Sequence, residues 1–381
     1  MGDVDENGYL HTTSGKKVPR LEMSAAMFLD KTVNVYGPSG TGKTVIVKTI
    51  MKLVRGHIDQ VIVVSPTEST NHSYDGIIPS PLIHPRPFLP DPSNPKKDDG
   101  VKGALRFLEA IWNRQMMMRA VYERANDVKV LSRLFGRLPG AVRREGFRAI
   151  DAIKNKRQGV VDTIRKQLAE DMGRRDEKIK EINEKFKTML RLLYKKYITE
   201  HYAELYARED LTEDELYSLS NLQFNPRLLL IFDDCAAELK GLFTKEIFRK
   251  FFYQGRWASL TTLVVAQDDT DIPTNIRKNA FISFYTNAVV CTTNFERKTN
   301  NFQKQTKEYV NDIVNDIYVG NRKMAYIRED PRMQNFYHIT VPYPQPFKFG
   351  SGAFNELCEE VRSTGTVMDK DNPYYAMFAP K

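Results

Sequence analysis

The chain of 381 residues is 41% hydrophobic and 28% charged with a formal net charge of +9, a composition typical of a globular protein with one large or two ordinary domains. Three cysteines without a C-x-x-C pair, and six histidines without ligand spacing, exclude a disulfide framework and a zinc knuckle. The chain lacks a run of about 18 apolar residues, which excludes a membrane span. Its positive charge favours a polyanionic partner, either nucleic acid or an acidic surface.

Residues 1–30 are polar at first and then briefly apolar, and we expect them to form an N-terminal arm. The stretch from Met1 to Glu6 is polar and acidic, unlike a secretory signal. Position 6 also lacks the Ser or Thr that N-myristoylation requires. The sequence therefore predicts no leader and no attachment to a membrane.

The strongest motif of the chain is GPSGTGKT at residues 37–44, which fits the phosphate-binding pattern G-x-x-x-x-G-K-[ST]. A β-rich segment precedes it and an apolar helical pattern follows it, as the motif requires. Its glycines permit turns that point successive backbone N–H groups at phosphate oxygens. Lys43 is predicted to reach the β and γ phosphates, and Thr44 to coordinate Mg²⁺. The predicted nucleotide-binding residues are Gly37, Pro38, Ser39, Gly40, Thr41, Gly42, Lys43 and Thr44.

Residues 31–100 are predicted to form the first half of a P-loop ATPase core. After the helix, Val61 to Val64 is a continuous apolar run, typical of a strand that is covered on both faces. A loop with seven prolines between Pro79 and Pro95 lies further on. The segment NHSYDGIIP at residues 71–79 leads into it and is either functional or a surface crossover.

Residues 101–220 are predicted to form a basic helical insertion. Between residues 101 and 210 there are 26 Lys and Arg but only 16 Asp and Glu. Apolar residues recur there at steps of three and four, which is typical of long helices: Ile179, Ile182, Phe186, Leu190, Leu193 and Tyr197. Two interpretations of the charge remain open. It is either an ordinary solvated helical face or a basic arm that contacts DNA phosphates.

Residues 221–300 are predicted to complete the ATPase core. The run LLLIFDD at 228–234 places two carboxylates after a buried strand. We expect Asp233 to hold the Mg²⁺ shell and Asp234 to accept a proton from the attacking water or to orient it. Neighbouring side chains on a strand point to opposite faces, so both can serve one site only where the strand ends and the chain bends. Gln267 ends the next strand and is predicted to sense the γ-phosphate.

Two arginines are candidates for an arginine finger that one subunit offers to the nucleotide of its neighbour. Arg256 lies in GRW at residues 255–257, and Arg277 lies in PTNIRKN at residues 273–279. Each could equally be a surface or ion-paired arginine. Residues 301–381 are predicted to be a C-terminal extension with helical signals near 305–317 and 353–361, and no chemical role follows from them.

Strands that alternate with helices predict an α/β fold. We expect a mostly parallel sheet flanked by helices, as in P-loop NTPases of the ASCE or RecA-like class, with a long helical insertion.

The motifs together resemble the FtsK/HerA superfamily of ring-forming DNA-pumping ATPases. Within it the chain is similar to the genome-packaging ATPases of large double-stranded DNA viruses, the poxvirus-type branch. The residues that carry the resemblance cover roughly 30–80 and 225–290: NVYGPSGTGKT (34–44), IVVSPTES (62–69), SYDGIIP (73–79), LLLIFDDC (228–235), GRWASLTTLVVAQ (255–267) and PTNIRKN (273–279). Two positions depart from the family pattern, since Trp257 stands where many relatives have His and Asp234 where Glu is common.

The resemblance implies that the P-loop, the acidic strand end and the Gln267 strand surround ATP, with the Gln267 strand between the other two. It also implies a homo-oligomeric, hexameric or similar ring with ATP and Mg²⁺ as cofactors. Such a ring would contact the backbone of double-stranded DNA and a capsid or portal component. The predicted function is an ATP-hydrolysing translocase that packages a viral genome into preformed capsids, in the host cytoplasm or in the virion.

Two other classes of function remain open. A P-loop protein can be a small-molecule kinase or a GTPase, although the chain has no N-K-x-D sequence for guanine recognition and no arginine-rich lid. It can also be a nucleotide-gated scaffold, in which case the basic helices would serve assembly.

Overall fold

A computed structural model describes residues 3–94, 98–328, 335–353 and 355–356 of the chain. The chain forms two compact units. The first, which we call the sheet unit, comprises residues 1–116 and 227–381, and the second, the helical unit, comprises residues 117–226. The helical unit thus begins and ends later than the insertion that we predicted at 101–220.

The strands that precede the motif residues lie where the apolar runs predicted them, whereas the strands near the two ends of the chain and the one at residues 83–84 were not predicted. In chain order, the strands of the described residues are β1 (Asp3–Val4), β2 (Tyr9–His11), β3 (Lys17–Pro19), β4 (Thr32–Tyr36), β5 (Gln60–Val64), β6 (Ile83–His84), β7 (Leu228–Asp233), β8 (Leu260–Ala266), β9 (Ile282–Tyr285), β10 (Arg322–Ile327) and β11 (Phe336–Thr340).

The helices follow the same order. They are α1 (Ala25–Phe28), α2 (Lys43–Val54), α3 (Glu68–Asn71), α4 (Val101–Ala125), α5 (Val128–Gly136), α6 (Gly140–Gln167), α7 (Met172–Glu200), α8 (Tyr202–Tyr206), α9 (Glu213–Ser220), α10 (Ala236–Leu239), α11 (Glu246–Tyr253), α12 (Thr274–Arg277), α13 (Ala288–Glu296) and α14 (Lys304–Ile317). Short 3-10 turns lie at Ser80–Leu82, Lys240–Leu242, Gly255–Ala258, Asp269–Asp271 and Lys298–Asn300.

The sheet unit is built on a mixed sheet whose order in the described residues is β11-β10-β9-β4-β8-β7-β5-β6. The strands from β9 to β6 pair in parallel, and β10 and β11 add antiparallel pairs at one edge. Alternate residues of each strand enter different cores. Leu230 of β7 packs into one cluster and Ile231 into the other, and both are fully buried. Helices therefore cover both faces, which confirms the predicted α/β fold.

The strand that ends before Gln267 lies between the P-loop strand and the acidic strand. β8 pairs in parallel with β4 on one side and with β7 on the other. This order is the one that the family resemblance implied. Because parallel strands have their carboxyl ends at the same edge of a sheet, the residues after β4, β7 and β8 meet there.

Both ends of the chain contribute to the sheet unit. β1, β2 and β3 form a small antiparallel sheet, and the Thr13 hydroxyl donates to Asp316 of α14 at 2.8 Å. The helix predicted near 305–317 is α14, whereas most of the segment predicted near 353–361 lies outside the described residues. Among the described residues no helix has the length and apolar character that a membrane crossing requires.

The helical unit has a core of its own, in which Leu131, Phe135, Tyr197 and Ile198 are buried. Helices α6 and α7 form a hairpin, joined through residues 168–171, and we call it the α6–α7 hairpin. At 1.5 Å per residue each helix is about 40 Å long. The hairpin spans residues 140–200, which contain 17 Lys and Arg and 10 Asp and Glu.

A buried carboxylate at the start of α9 joins two segments of the helical unit. Glu215 accepts hydrogen bonds from Arg137 at 3.0 and 2.8 Å and caps α9 together with Thr212. Burial by itself would raise the pKa of Glu215, but the hydrogen bonds from Arg137 and Thr212 outweigh burial and hold that pKa below its ordinary value.

Candidate active site

The predicted phosphate-binding loop connects β4 to α2 at the carboxyl edge of the sheet. A Cβ atom at Gly37 would collide with the hydroxyl group of Thr286, so only glycine fits there. Gly42 precedes α2 with a φ of 99°, in the left-handed region that favours glycine. Because glycine has no capping side chain, the first N–H groups of α2 are left to bind an anionic ligand.

Lys43 folds over this loop. Its Nζ donates hydrogen bonds to the backbone oxygens of Gly37 at 2.7 Å and Pro38 at 3.1 Å. Burial lowers the pKa of Lys43, and the charges of Asp234 and Asp233 partly offset that effect. Phosphate oxygens are charged acceptors and bind an ammonium group more strongly than carbonyl oxygens do. Lys43 can therefore exchange these backbone contacts for phosphate.

The two aspartates stand where the sequence required a bend. Asp233 is the last residue of β7 and lies opposite Val265 of β8. Asp234 has a φ of 53°, so the chain turns there. As a result both carboxylates border one cavity of about 250 Å³, together with loop residues. Those loop residues are Pro38, Ser39, Gly40, Gly42, Lys43 and Thr44.

Gln267 lies next to this cavity and contacts one of its carboxylates. Its Nε2 donates to both carboxylate oxygens of Asp234, each at 3.2 Å. The residue that we predicted as a sensor is thus in direct contact with the residue that we predicted as a base. An amide in this position can report a change at the phosphates to the carboxylate beside it.

The structure adds Thr67, to which the sequence assigned no role, and residues of the segment at 71–79, which the sequence left as either functional or a surface crossover. Thr67, Asn71 and Ser73 line the same cavity from the segment that follows β5. From that segment, Tyr74 donates its hydroxyl hydrogen to Oδ2 of Asp233 at 2.8 Å. Burial raises the pKa of Asp233, and the hydrogen bond from Tyr74 opposes that effect. Sequence reasoning had a signal here, because a strand of this sheet ends at Val64 and polar residues follow it.

The donor set of the cavity fits a magnesium ion. Thr44 offers a hydroxyl oxygen and Asp233 a carboxylate oxygen, the hard oxygen ligands that Mg²⁺ prefers. Among the described residues, no group of three or more His, Cys, Asp and Glu side chains could hold a metal by itself. Mg²⁺ keeps several waters and usually takes only one or two carboxylates besides substrate phosphates, so this sparse set suits it.

A second cavity lies on the other side of the loop. It has a volume of about 490 Å³, and Gly40 and Gly42 line both cavities. Asn287, Lys323 and Tyr343 contribute polar groups to its wall. The Tyr343 ring is 68% exposed. The C-terminal extension, to which the sequence assigned no chemical role, therefore supplies part of this wall.

The two candidate arginine fingers differ in exposure. Arg256 is exposed in the turn before β8, at the amino end of that strand. A strand of seven residues is about 23 Å long, so Arg256 lies far from the cavity of its own subunit. Arg277 is buried and pairs with Asp269, and its guanidinium also donates to Thr274 at 2.7 Å. Because this pair holds Arg277 inside the subunit, the structure does not offer it to a neighbouring nucleotide.

Two solved structures of nucleotide-bound proteins are distant likenesses of the chain. The genome packaging NTPase B204 from Sulfolobus turreted icosahedral virus 2, in complex with ATP-gammaS, is 10% identical with a TM-score of 0.34, over 84% of this chain and 100% of that chain. The plasmid coupling protein TrwB, in complex with a non-hydrolysable ATP analogue, is 11% identical with a TM-score of 0.35, over 89% and 94%. Likenesses at this level carry no argument about function.

No protein-family model matches the chain. Full-length relatives occur in African swine fever virus. The uncharacterized protein B354L of a pig isolate from Kenya is 47% identical over 369 residues, which is 97% of this chain and 98% of the relative. The same protein of a tick isolate from Malawi matches with the same identity and coverage. At this identity and coverage, the chain belongs to the family of the African swine fever virus protein B354L.

Proposed function

We propose that this chain is an ATPase of the FtsK/HerA type that drives double-stranded DNA into a viral capsid. The observation that carries the proposal is the convergence of the P-loop, Asp233 and Asp234 on one cavity, with Gln267 bonded to Asp234. Residues that are about 190 positions apart in sequence meet there, in the arrangement that hydrolysis of a nucleoside triphosphate requires.

The side chains divide the chemistry among them. The N–H groups of the loop and Lys43 bind the β and γ phosphates. Asp234 accepts the proton of the attacking water, and Gln267 orients that water. Thr44 and Asp233 would hold Mg²⁺, which when bound neutralises charge on the β and γ oxygens. Partial burial of Lys43 and Asp233 strengthens these interactions, because charges attract more strongly in a low dielectric.

The larger cavity beyond the loop suits the nucleoside half of the substrate. It adjoins the phosphate cavity through Gly40 and Gly42. The exposed ring of Tyr343 offers a face on which a base can stack, and Lys48 donates to its hydroxyl oxygen at 3.1 Å. We therefore assign the base and the ribose to this side of the loop.

The helical unit is the proposed contact with DNA. The α6–α7 hairpin carries an excess of seven positive charges, close to the net charge of the whole chain. Arg174, Lys178 and Lys180 are among its exposed basic residues. A packaging motor must ignore sequence, and a positive surface that binds phosphates does so. We further propose that the protein binds a capsid or portal component and that it acts in the host cytoplasm or in the virion.

A ring of identical subunits supplies the remaining catalytic group. Arg256 lies too far from its own cavity to act there but is exposed to a neighbour. We propose it as the arginine finger, in a hexameric or similar ring. Arg277 instead stabilises the fold of its own subunit through its ion pair with Asp269.

ATP turnover measured with and without double-stranded DNA tests the proposal. We expect hydrolysis that DNA stimulates, and about a hundredfold or greater loss of ATP affinity in Lys43→Ala. The matched control is Lys52→Ala, which removes a lysine of the same helix outside the cavity. Phosphorylation of a small molecule would establish a kinase instead. Nucleotide binding without turnover would establish a scaffold, and equal rates with and without DNA would contradict the motor.

A further inference from the structure

Tyr74 is a buried tyrosine whose hydroxyl group reaches the active site. Its side chain is 0% exposed and packs in the apolar cluster on one face of the sheet, with Ile78 and Val63. Only its hydroxyl group is polar, and that group donates to Oδ2 of Asp233 at 2.8 Å. Tyrosine is neutral at pH 7, so the hydrogen lies on the phenol and the carboxylate accepts it.

The backbone on both sides holds Tyr74 in place. The carboxylate of Glu68 accepts hydrogen bonds from the N–H groups of Ser73 at 2.9 Å and Tyr74 at 2.7 Å. The carbonyl oxygen of Tyr74 accepts from Ile77 at 3.0 Å and from Ile78 at 3.1 Å. These bonds fix the backbone of Tyr74, and the packing of its buried ring fixes the side chain, so the phenol is held against Asp233.

The same segment forms part of the phosphate cavity. Thr67, Asn71 and Ser73 line the cavity, and Tyr74 is the next residue along the chain. The hydrogen bond to Asp233 thus ties one catalytic carboxylate to the cavity wall. This bond connects the segment that forms the cavity wall to the end of β7.

Each of the two neighbouring aspartates has its own partner. Asp234 accepts from Gln267 through both of its oxygens. Asp233 accepts from Tyr74 through Oδ2. One carboxylate is thereby joined to an exposed polar side chain, and the other to a buried phenol. A metal ligand benefits from the buried partner, because fixed ligand orientation raises metal affinity.

We propose that Tyr74 is a positioning residue that holds one oxygen of Asp233, leaves the other for a divalent cation, and so decides which of the two aspartates serves the metal. This inference rests on the proposed function, because it assigns a role within the same nucleotide site. A tyrosine that only fills the core would need no hydroxyl group there, since phenylalanine fills the same space.

The test replaces Tyr74 by phenylalanine, which removes the hydroxyl oxygen and keeps the ring. Binding of Mn²⁺ to the full chain with ATP-gammaS is measured by electron paramagnetic resonance, and binding of ATP-gammaS is measured separately in EDTA. We expect Mn²⁺ affinity to fall about tenfold, with metal-free nucleotide binding unchanged. Tyr197→Phe is the matched control, because Tyr197 is a buried residue of the helical unit whose hydroxyl group donates to the carboxylate of Glu145 at 3.1 Å.

A second variant separates positioning from packing. In the background of Asp233→Asn, Tyr74→Phe should cause little further loss of Mn²⁺ affinity, because the two residues act through one contact. Unchanged Mn²⁺ affinity in the single variant would overturn the inference and leave the proposed ATPase intact. An equal loss of metal-free nucleotide binding would assign Tyr74 to packing alone. A wild-type chain that binds no nucleotide would overturn both proposals.

Discussion

The sheet unit and the helical unit distribute their functional groups in opposite ways. In the sheet unit, Lys43, Asp234 and Gln267 come from distant parts of the chain and meet at one edge of the sheet. In the helical unit, the charges are spread along the exposed faces of the α6–α7 hairpin. In the sheet unit the chemistry depends on a few atoms, whereas in the helical unit binding depends on the summed charge of many side chains. Single substitutions should therefore cause large losses in one unit and graded losses in the other.

The sharpest test of the sheet unit is Asp234→Asn, which should have the largest effect. The amide keeps the shape of the side chain but cannot accept the proton of the attacking water. We expect turnover to fall up to about 10⁴-fold, while ATP binding stays near the wild-type value. The measurement pairs steady-state hydrolysis with nucleotide binding. Asp59→Asn, at an exposed position outside the cavity, is the control, and a variant that still hydrolyses ATP at the control's rate would refute the role of the base.

The next largest loss of turnover is expected from Arg256→Ala, on the surface of the sheet unit. Loss of an arginine finger should lower turnover about 10³-fold, and only in assembled rings. Mixing Arg256→Ala subunits with Asp234→Asn subunits should restore activity, because some interfaces then combine an intact arginine with an intact base. If mixtures stay as inactive as their components, or if monomers are equally slow, the finger lies elsewhere.

Arg277 supplies the contrast to Arg256. Removing one partner of a buried ion pair costs about 3–5 kcal/mol when the other charge is left unpaired. Arg277→Ala should lower stability by less than that, because the buried Asp269 keeps Arg297 at 3.1 Å and the side-chain amide of Asn300 at 3.0 Å. Thermal unfolding measures the loss, and a variant with normal stability and slow turnover would return Arg277 to the list of catalytic candidates.

The helical unit should respond in smaller steps. Neutralising Arg174, Lys178 and Lys180 to glutamine should weaken DNA binding about tenfold at low salt and reduce the slope of log affinity against log salt by about 3. Fluorescence anisotropy with a duplex over a range of salt concentrations gives both values. The control neutralises Lys240, Lys298 and Lys304, three exposed lysines of the sheet unit. Equal slopes for both variants would leave the hairpin as an ordinary solvated surface.

The smallest expected effect is a pH-dependent loss of stability in the helical unit. Glu215→Gln removes the charge that Arg137 binds and should cost about 1.5 kcal/mol at pH 7. Because the pKa of Glu215 is lowered in the folded chain, its contribution is present above the ordinary value of 4.5 and is lost as the pH falls through the folded pKa. Urea unfolding followed by circular dichroism should show the difference between variant and wild type shrinking below pH 4.5. A difference that stays constant with pH would contradict this account.

The sequence predicts those parts of the site in which the residue types of a motif determine the local backbone conformation. Glycines that must turn, and carboxylates that must follow a buried strand, restrict the backbone enough to be read from residue types. The apolar run before Asp233 predicted a strand that is buried on both faces, and the sheet confirms it. The fold class followed from the same alternation of strands and helices.

The remaining parts depend on how distant segments fold back. Asn71 ends α3 and Tyr74 follows that helix, and the carboxylate of Glu68 sets the turn between them. No sequence pattern predicts that contact. Arg256 and Arg277 were both candidates on their sequence patterns. They differ in the structure because Arg277 forms a buried ion pair with Asp269, eight positions earlier in the chain.

The order of the strands also has a consequence for synthesis of the protein. Thr32 of β4 pairs with Thr262 of β8, 230 residues later, so the P-loop strand emerges from the ribosome long before its neighbours. Contacts of such sequence separation form slowly, and unpaired apolar strands invite aggregation in the meantime. The helical unit, whose contacts are more local, can fold while the ribosome is still making β7 and β8. A nascent chain arrested at residue 226 should therefore hold a folded helical unit and depend on chaperones for β4 and β5.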